Sequence, residues 1–192
     1  MHRSRLFLAL LGVLALPVQA NWYLDNESSR LSFISTHNAD VSEVHRFLTL
    51  HGKIDRQGLA TLEVELESLS TGIPRRDERL RRDLFEIKTW PEARIVAQIN
   101  VQPINDLAPG AQLELRLPLV VKLRGKEHSY NAELLATRLD DRRFQVVTLE
   151  PLVLHAGDFD LVPGLSVLRE AAGLSSISLS VPVGAVLIFA TR

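Results

Sequence analysis

Apolar and polar side chains alternate with a period of two over much of this chain. Leu113, Leu115, Leu117, Leu119, Val121 and Leu123 fall on one side, against Gln112, Glu114, Arg116, Lys122 and Arg124 on the other. Leu62, Val64 and Leu66 alternate with Thr61, Glu63, Glu65 and Glu67, and Ile177, Leu179, Val181 and Val183 alternate with Ser176, Ser178 and Ser180. Such patterns read as strands with one buried face and one wetted face. Weaker versions cover 30–36, 43–54, 93–101, 130–139 and 143–149, which makes about eight strands in an antiparallel meander. Asp55-Arg56-Gln57-Gly58 and Asp140-Asp141 supply turn chemistry between them. An all-β protein follows. A closed barrel removes the exposed strand edges, and a two-sheet sandwich also satisfies the alternation.

Two stretches break the period. Within Asp77 to Phe85, Leu80 and Leu84 are four apart and share one face of a short helix, with Asp77 near its N-terminus, where a carboxylate is favoured. In Pro163 to Gly173, Leu165, Leu168 and Ala172 recur at helical spacing. Ser166 is the expected cap and Gly173 the expected stop.

The first residues have the layout of an export signal. His2, Arg3 and Arg5 precede the apolar run Leu6 to Leu16, Pro17 breaks it, and Val18-Gln19-Ala20 offers a cleavage site. The run is too short for a bilayer span, which needs roughly 20 residues. The expected organisation is a cleaved signal over 1–20 and one barrel domain over 21–192, in the periplasm or secreted. The chain has no cysteine, so disulfides and thiolate metal sites are excluded. Its 22 basic and 23 acidic residues give a formal charge of −1. That balance argues against a nucleic-acid partner, whose footprint is strongly basic.

Catalytic chemistry finds little support. His37, His45, His51, His128 and His155 are scattered without metal-ligand spacing. There is no G-x-S-x-G elbow and no phosphate-cradling glycine loop. No catalytic residue, no metal and no enzymatic activity are expected. The densest charge, Arg75 to Asp83, interleaves five arginines with Asp77, Glu78 and Asp83. It reads as a solvated helix face laced by ion pairs, with an arginine rim for an anionic head group as the functional alternative.

Specific residues in this order resemble the YceI-like family of lipocalin-like, polyisoprenoid-binding proteins. They are Trp22-x-x-Asp25, Ser29-x-Leu31-x-Phe33 and His37; Val44, Phe47, Gly52 and Ile54; and Thr71 with Arg76-Asp77-Glu78-Arg79-Leu80, Leu84-Phe85 and Trp90-Pro91. Leu117-x-Leu119, Leu123-Arg124-Gly125-Lys126 and Asp158-Phe159 continue the likeness. Three positions depart from it: His45 and Asp160 where the family often has Gly, and Leu84 where it usually has a second aromatic.

The resemblance implies an extended eight-stranded antiparallel lipocalin-like barrel with one or two short helices near the ends. It also implies a non-catalytic function, holding an isoprenoid lipid, a quinone or polyprenyl chain, inside. The expected interior wall is Leu31, Phe33, Phe47, Leu62, Val64, Leu66, Leu113, Leu115, Leu117, Leu119, Val121, Ile177, Leu179 and Val181. Arg76, Asp77, Leu80, Phe85 and Trp90 form the expected rim, Arg76 and Asp77 mainly structurally, by an ion pair or cap that fixes the short helix. Beyond the lipid no cofactor is expected. Peripheral membrane contact and a homodimer stay open, as does an envelope interaction protein with a filled barrel and no lipid.

Overall fold

A computed structural model describes residues 21–191; the expected export signal lies outside the described residues. Twelve strands form one antiparallel sheet: β1 (Trp22–Leu24), β2 (Arg30–His37), β3 (Val41–Phe47), β4 (Leu50–Ile54), β5 (Leu59–Glu65), β6 (Leu69–Ser70), β7 (Glu92–Gln98), β8 (Gln112–Leu123), β9 (Lys126–Asp140), β10 (Arg143–Thr148), β11 (Leu152–His155) and β12 (Ser180–Thr191). In space they make eight staves. β1 and β2 both pair with one edge of β12, and β10 and β11 both pair with the other. Next to β1 and β2 lie β4 and β3, then β5 and β6. β7, β8 and β9 complete the ring to β10. β1 pairs with both β4 and β12, so the sheet closes as a barrel, and a sandwich is ruled out.

The stretch 43–54, expected as one strand, is two. At the break the backbone amides of Leu48 and Thr49 donate to the Ser68 hydroxyl at 3.1 and 3.0 Å. In the neighbouring stave Asn26 replaces the ladder, its side-chain oxygen accepting from Leu50 N–H at 2.7 Å. Ser29 Oγ accepts from Ile188 N–H at 3.0 Å. Polar side chains thus satisfy backbone groups where adjacent staves bend together.

The final strand begins at Ser180 rather than Ile177 and runs to Thr191. Ile177 makes only an isolated bridge with His37. Helix α1 (Pro74–Arg79) starts earlier than expected, because Pro74 occupies its first turn where a missing N–H costs nothing, and it continues as a π-helical segment, Leu80–Phe85. A short helix α2 (Gln102–Asn105) carries the fully buried Ile104. In α3 (Val162–Ala171), Ser166 is not the cap: it lies inside the helix and donates to Val162 O at 3.1 Å. Gly173 follows the helix at φ +65, the left-handed turn that ends it.

The core has two centres. At one end Trp22, Leu50, Ile54, Ile104, Phe144 and Phe189 pack together, with Trp22 edge-on to Phe144 at 4.7 Å. At the other, Leu66, Leu69, Leu84, Phe85, Phe159 and Leu161 pack beneath the helical segments. The turn at Asp55–Gly58 sits at the first end, where Gly58 has φ +83 and an added Cβ would lie 2.0 Å from Ile99 O. Gly58→Ala is therefore expected to lower unfolding free energy by about 1–3 kcal/mol. Urea denaturation with an unchanged slope checks it, and an unaltered midpoint contradicts it.

Candidate functional site

Between the two packed ends the barrel is hollow. The cavity measures about 750 Å³, within the range of small-molecule sites. Its existence follows from side-chain size on the inward rows. Ala60, Ala93, Ala97 and Ala185 face it, whereas the end around Trp22 and Phe144 is filled by aromatic rings. An eight-stranded barrel has just enough interior for either outcome, and the alanines leave the space open.

Of the expected wall, Leu31, Phe33, Phe47, Leu62, Val64, Leu66, Leu115, Leu117, Leu119, Val121, Ile177 and Val181 border the cavity. Leu113 does not; it packs against the Trp22 end. Leu179 does not either and is 46% exposed. The period-two count fails there because Ser178 turns the chain before β12: its hydroxyl donates to Ser180 O and accepts from Ser180 N–H. Sequence reasoning missed Ile95, Leu134, Val146 and Leu187, whose strands alternate weakly, and Leu165 and Leu168, which border the cavity from α3.

Among the expected rim residues, Arg76, Leu80 and Phe85 border the cavity. Asp77 is buried behind them and Trp90 is partly exposed, its ring over Gly125, where a Cβ would meet it at 2.6 Å. Arg76 and Asp77 hold a common partner rather than each other. The Asp77 carboxylate accepts from the Thr71 amide at 2.9 Å and from its hydroxyl. Arg76 Nε donates to Thr71 Oγ1 and Nη2 to Thr71 O, both at 2.9 Å, while Nη1 pairs with Glu43 at 2.7 Å. This clamp ties α1 to β3 and to the segment after β6.

The mouth beside the clamp is polar. Ser35, His37, Glu43 and His45 project from β2 and β3, and Arg75 and Arg79 from α1. His45 is 4% exposed and bonds Ser35 Oγ through Nε2 at 2.8 Å. Burial, then the charge of Arg76, holds its pKa below the ordinary 6.5. The hydrogen bond from Arg76 holds Glu43 below 4.5. Farther along, Tyr130 donates to Asp158 at 2.8 Å, and burial followed by that bond pushes its phenol up to about 12. Asp160, where the family often has Gly, keeps a left-handed φ of +54 and pairs with Lys126 at 2.9 Å. Among the described residues, no three His, Asp or Glu side chains are placed to hold a metal ion.

Two outcomes are expected here. Asp77→Ala leaves the half-buried Thr71 donors without their acceptor, so stability should fall by about 1–3 kcal/mol, read by thermal or urea unfolding. The His45 ring prefers the neutral form when folded, so its contribution is full above pH 6.5 and declines as pH falls below that value. Glu43 acts lower, losing its contribution as pH falls below 4.5. His45→Leu should flatten the stability profile between these two values; an unchanged slope contradicts the assignment.

The YceI-like domain model matches residues 22–187. A polyisoprenoid-binding domain from Saccharophagus degradans implicated in plant cell wall breakdown is 33% identical. Its TM-score is 0.87, covering 89% of this chain and 98% of its own. BcnA of Burkholderia cenocepacia shares the fold at 17% identity, with a TM-score of 0.66 over 86% of this chain and 98% of its own. No curated protein matches the chain.

Proposed function

The chain belongs to the YceI-like family, and on that footing we propose that it binds an isoprenoid lipid, without catalysis, with the prenyl chain lying in the barrel cavity. The observation that carries this reading is the void of about 750 Å³ walled by leucine, isoleucine, valine and phenylalanine. A filled barrel, the competing expectation, has no use for inward alanines at Ala60, Ala93, Ala97 and Ala185. An apolar chain gains about 0.8 kcal/mol per buried CH₂. Five isoprene units thus exceed an association cost of about 4–15 kcal/mol, so affinity needs few polar contacts. The identity of the S. degradans relative as a polyisoprenoid-binding domain supports the same ligand class, a quinone or a polyprenyl chain. We place the protein in the periplasm or outside the cell, with 1–20 removed as a signal and 21–192 as the working barrel.

Purified protein extracted with organic solvent should yield a prenyl lipid by mass spectrometry. Leu117→Trp, which puts an indole into the cavity from the middle of β8, should abolish the recovered lipid and leave the barrel folded. Repeated preparations without lipid, together with failure to bind added prenyl lipids, would sink the carrier reading.

A further inference from the structure

The cavity wall changes character along one pair of strands. Going outward, the residues of β2 that border it are Leu31, Phe33, Ser35, Thr36 and His37, and those of β3 are Phe47, His45 and Glu43. Hydrocarbon gives way to hydrogen-bonding groups within two residues on each strand. Phe47, Phe33 and the His45 ring follow one another at centroid spacings of 5.5 and 5.3 Å.

Two histidines in this series leave a buried Nδ1 without a hydrogen-bond partner, His37 and His45, and the more deeply buried is His45. It is 4% exposed and its Nε2 is taken by Ser35, yet its Nδ1 is buried with no hydrogen-bond partner. If Ser35 donates to Nε2, Nδ1 carries an unused proton; if Nε2 donates to Ser35, Nδ1 is an unused acceptor. Either tautomer leaves one polar atom unsatisfied beside an apolar cavity, and buried polar atoms are rarely left so. The neighbouring charges are already engaged. Arg76 is bound to Glu43 and Thr71, and Glu43 also takes His37 Nε2 at 3.3 Å.

We propose that His45, steadied by Ser35, is the station for an uncharged oxygen on the lipid head group, a carbonyl or a hydroxyl. The tail then runs inward past Phe33 and Leu31. This rests on the lipid-binding reading above and adds an orientation and a head-group class to it. A neutral ring suits an uncharged oxygen, and burial favours the neutral form of this ring. Arg75 and Arg79 border the cavity from α1, and an anionic head group would be drawn to them instead of to His45.

The test uses four probes on the full-length mature protein: a ubiquinone with a four-isoprene tail, geranylgeraniol, geranylgeranyl diphosphate, and phytane as a headless hydrocarbon of similar length. Competition against a fluorescent apolar dye gives affinities for the wild type and His45→Leu. The expected result is that His45→Leu weakens the quinone, the alcohol or both by roughly three- to tenfold and leaves phytane unchanged. Which of the two weakens tells carbonyl from hydroxyl. An equal loss for phytane, no loss for either oxygenated probe, or tighter wild-type binding of the diphosphate than of both uncharged head groups overturns the proposal. Binding of phytane with no gain from any head group overturns it while sparing the carrier reading; binding of none of the four overturns both. Should His45→Leu not fold, nitrogen NMR of the wild-type imidazole decides. Nδ1 should shift on adding the oxygenated probe that binds and stay fixed with phytane, and an Nδ1 indifferent to every probe counts against the assignment.

Discussion

Strand β12 holds the barrel shut. One of its edges carries β10 and then β11, the other β1 and then β2. Its backbone donors and acceptors therefore face partners on both sides, and the barrel is left without the open edge that an eight-stave sheet would otherwise present. The same strand faces the cavity with Val181, Val183, Ala185, Leu187 and Phe189, running from the polar mouth to the aromatic end. Closure and lining are thus one set of residues. The bends that let neighbouring staves follow it are made by Asn26, Ser29 and Ser68, whose side chains take over where the ladder lapses.

A hollow interior needs walls that cannot collapse. Here the two packed ends act as spacers: rings of Trp22, Phe144 and Phe189 at one, and Phe85 and Phe159 under the helices at the other. Between them a continuous hydrogen-bonded wall sets the circumference, so shrinking side chains to alanine opens volume instead of drawing strands together. The clamp of Arg76 and Asp77 on Thr71 fixes α1 over this space. Of the charges on that helix, Arg76 and Asp77 serve its position, and Arg75 and Arg79 border the cavity.

The long half-buried strands were legible from period alone: Leu113 to Leu123 keeps leucine or valine at every second position, and the other face is polar except at Pro118 and Val120, because that face meets water. The resemblance carried the choice between barrel and sandwich, which the alternation left open. Shorter pieces such as Trp22–Leu24, Leu69–Ser70 and Leu152–His155 hold too few residues to show a period. Past Val183 both faces are apolar, so β12 hides its own phase. Helix α1 begins before the stretch whose apolar spacing predicts it, because Pro74 supplies a first turn that spacing does not mark. At the site, the inward leucines could be read, but the mouth could not. His45 stood out as a departure from the family pattern, and only the register of β2 against β3 brings it to Ser35. Leu179 has the right parity and the wrong backbone.

The closing seam joins the two ends of the described chain, Trp22 opposite Thr191 and Leu24 opposite Phe189. By contrast, β8 and β9 zip together across a two-residue connection, Arg124 and Gly125, over the full length of β8. Order of assembly follows from this difference. The β8–β9 hairpin costs little loop entropy and can form while the chain is still being made. The seam waits for the last residues to arrive. Until then the apolar interior is open along one side, and the chain is exposed to aggregation for as long as β12 is late.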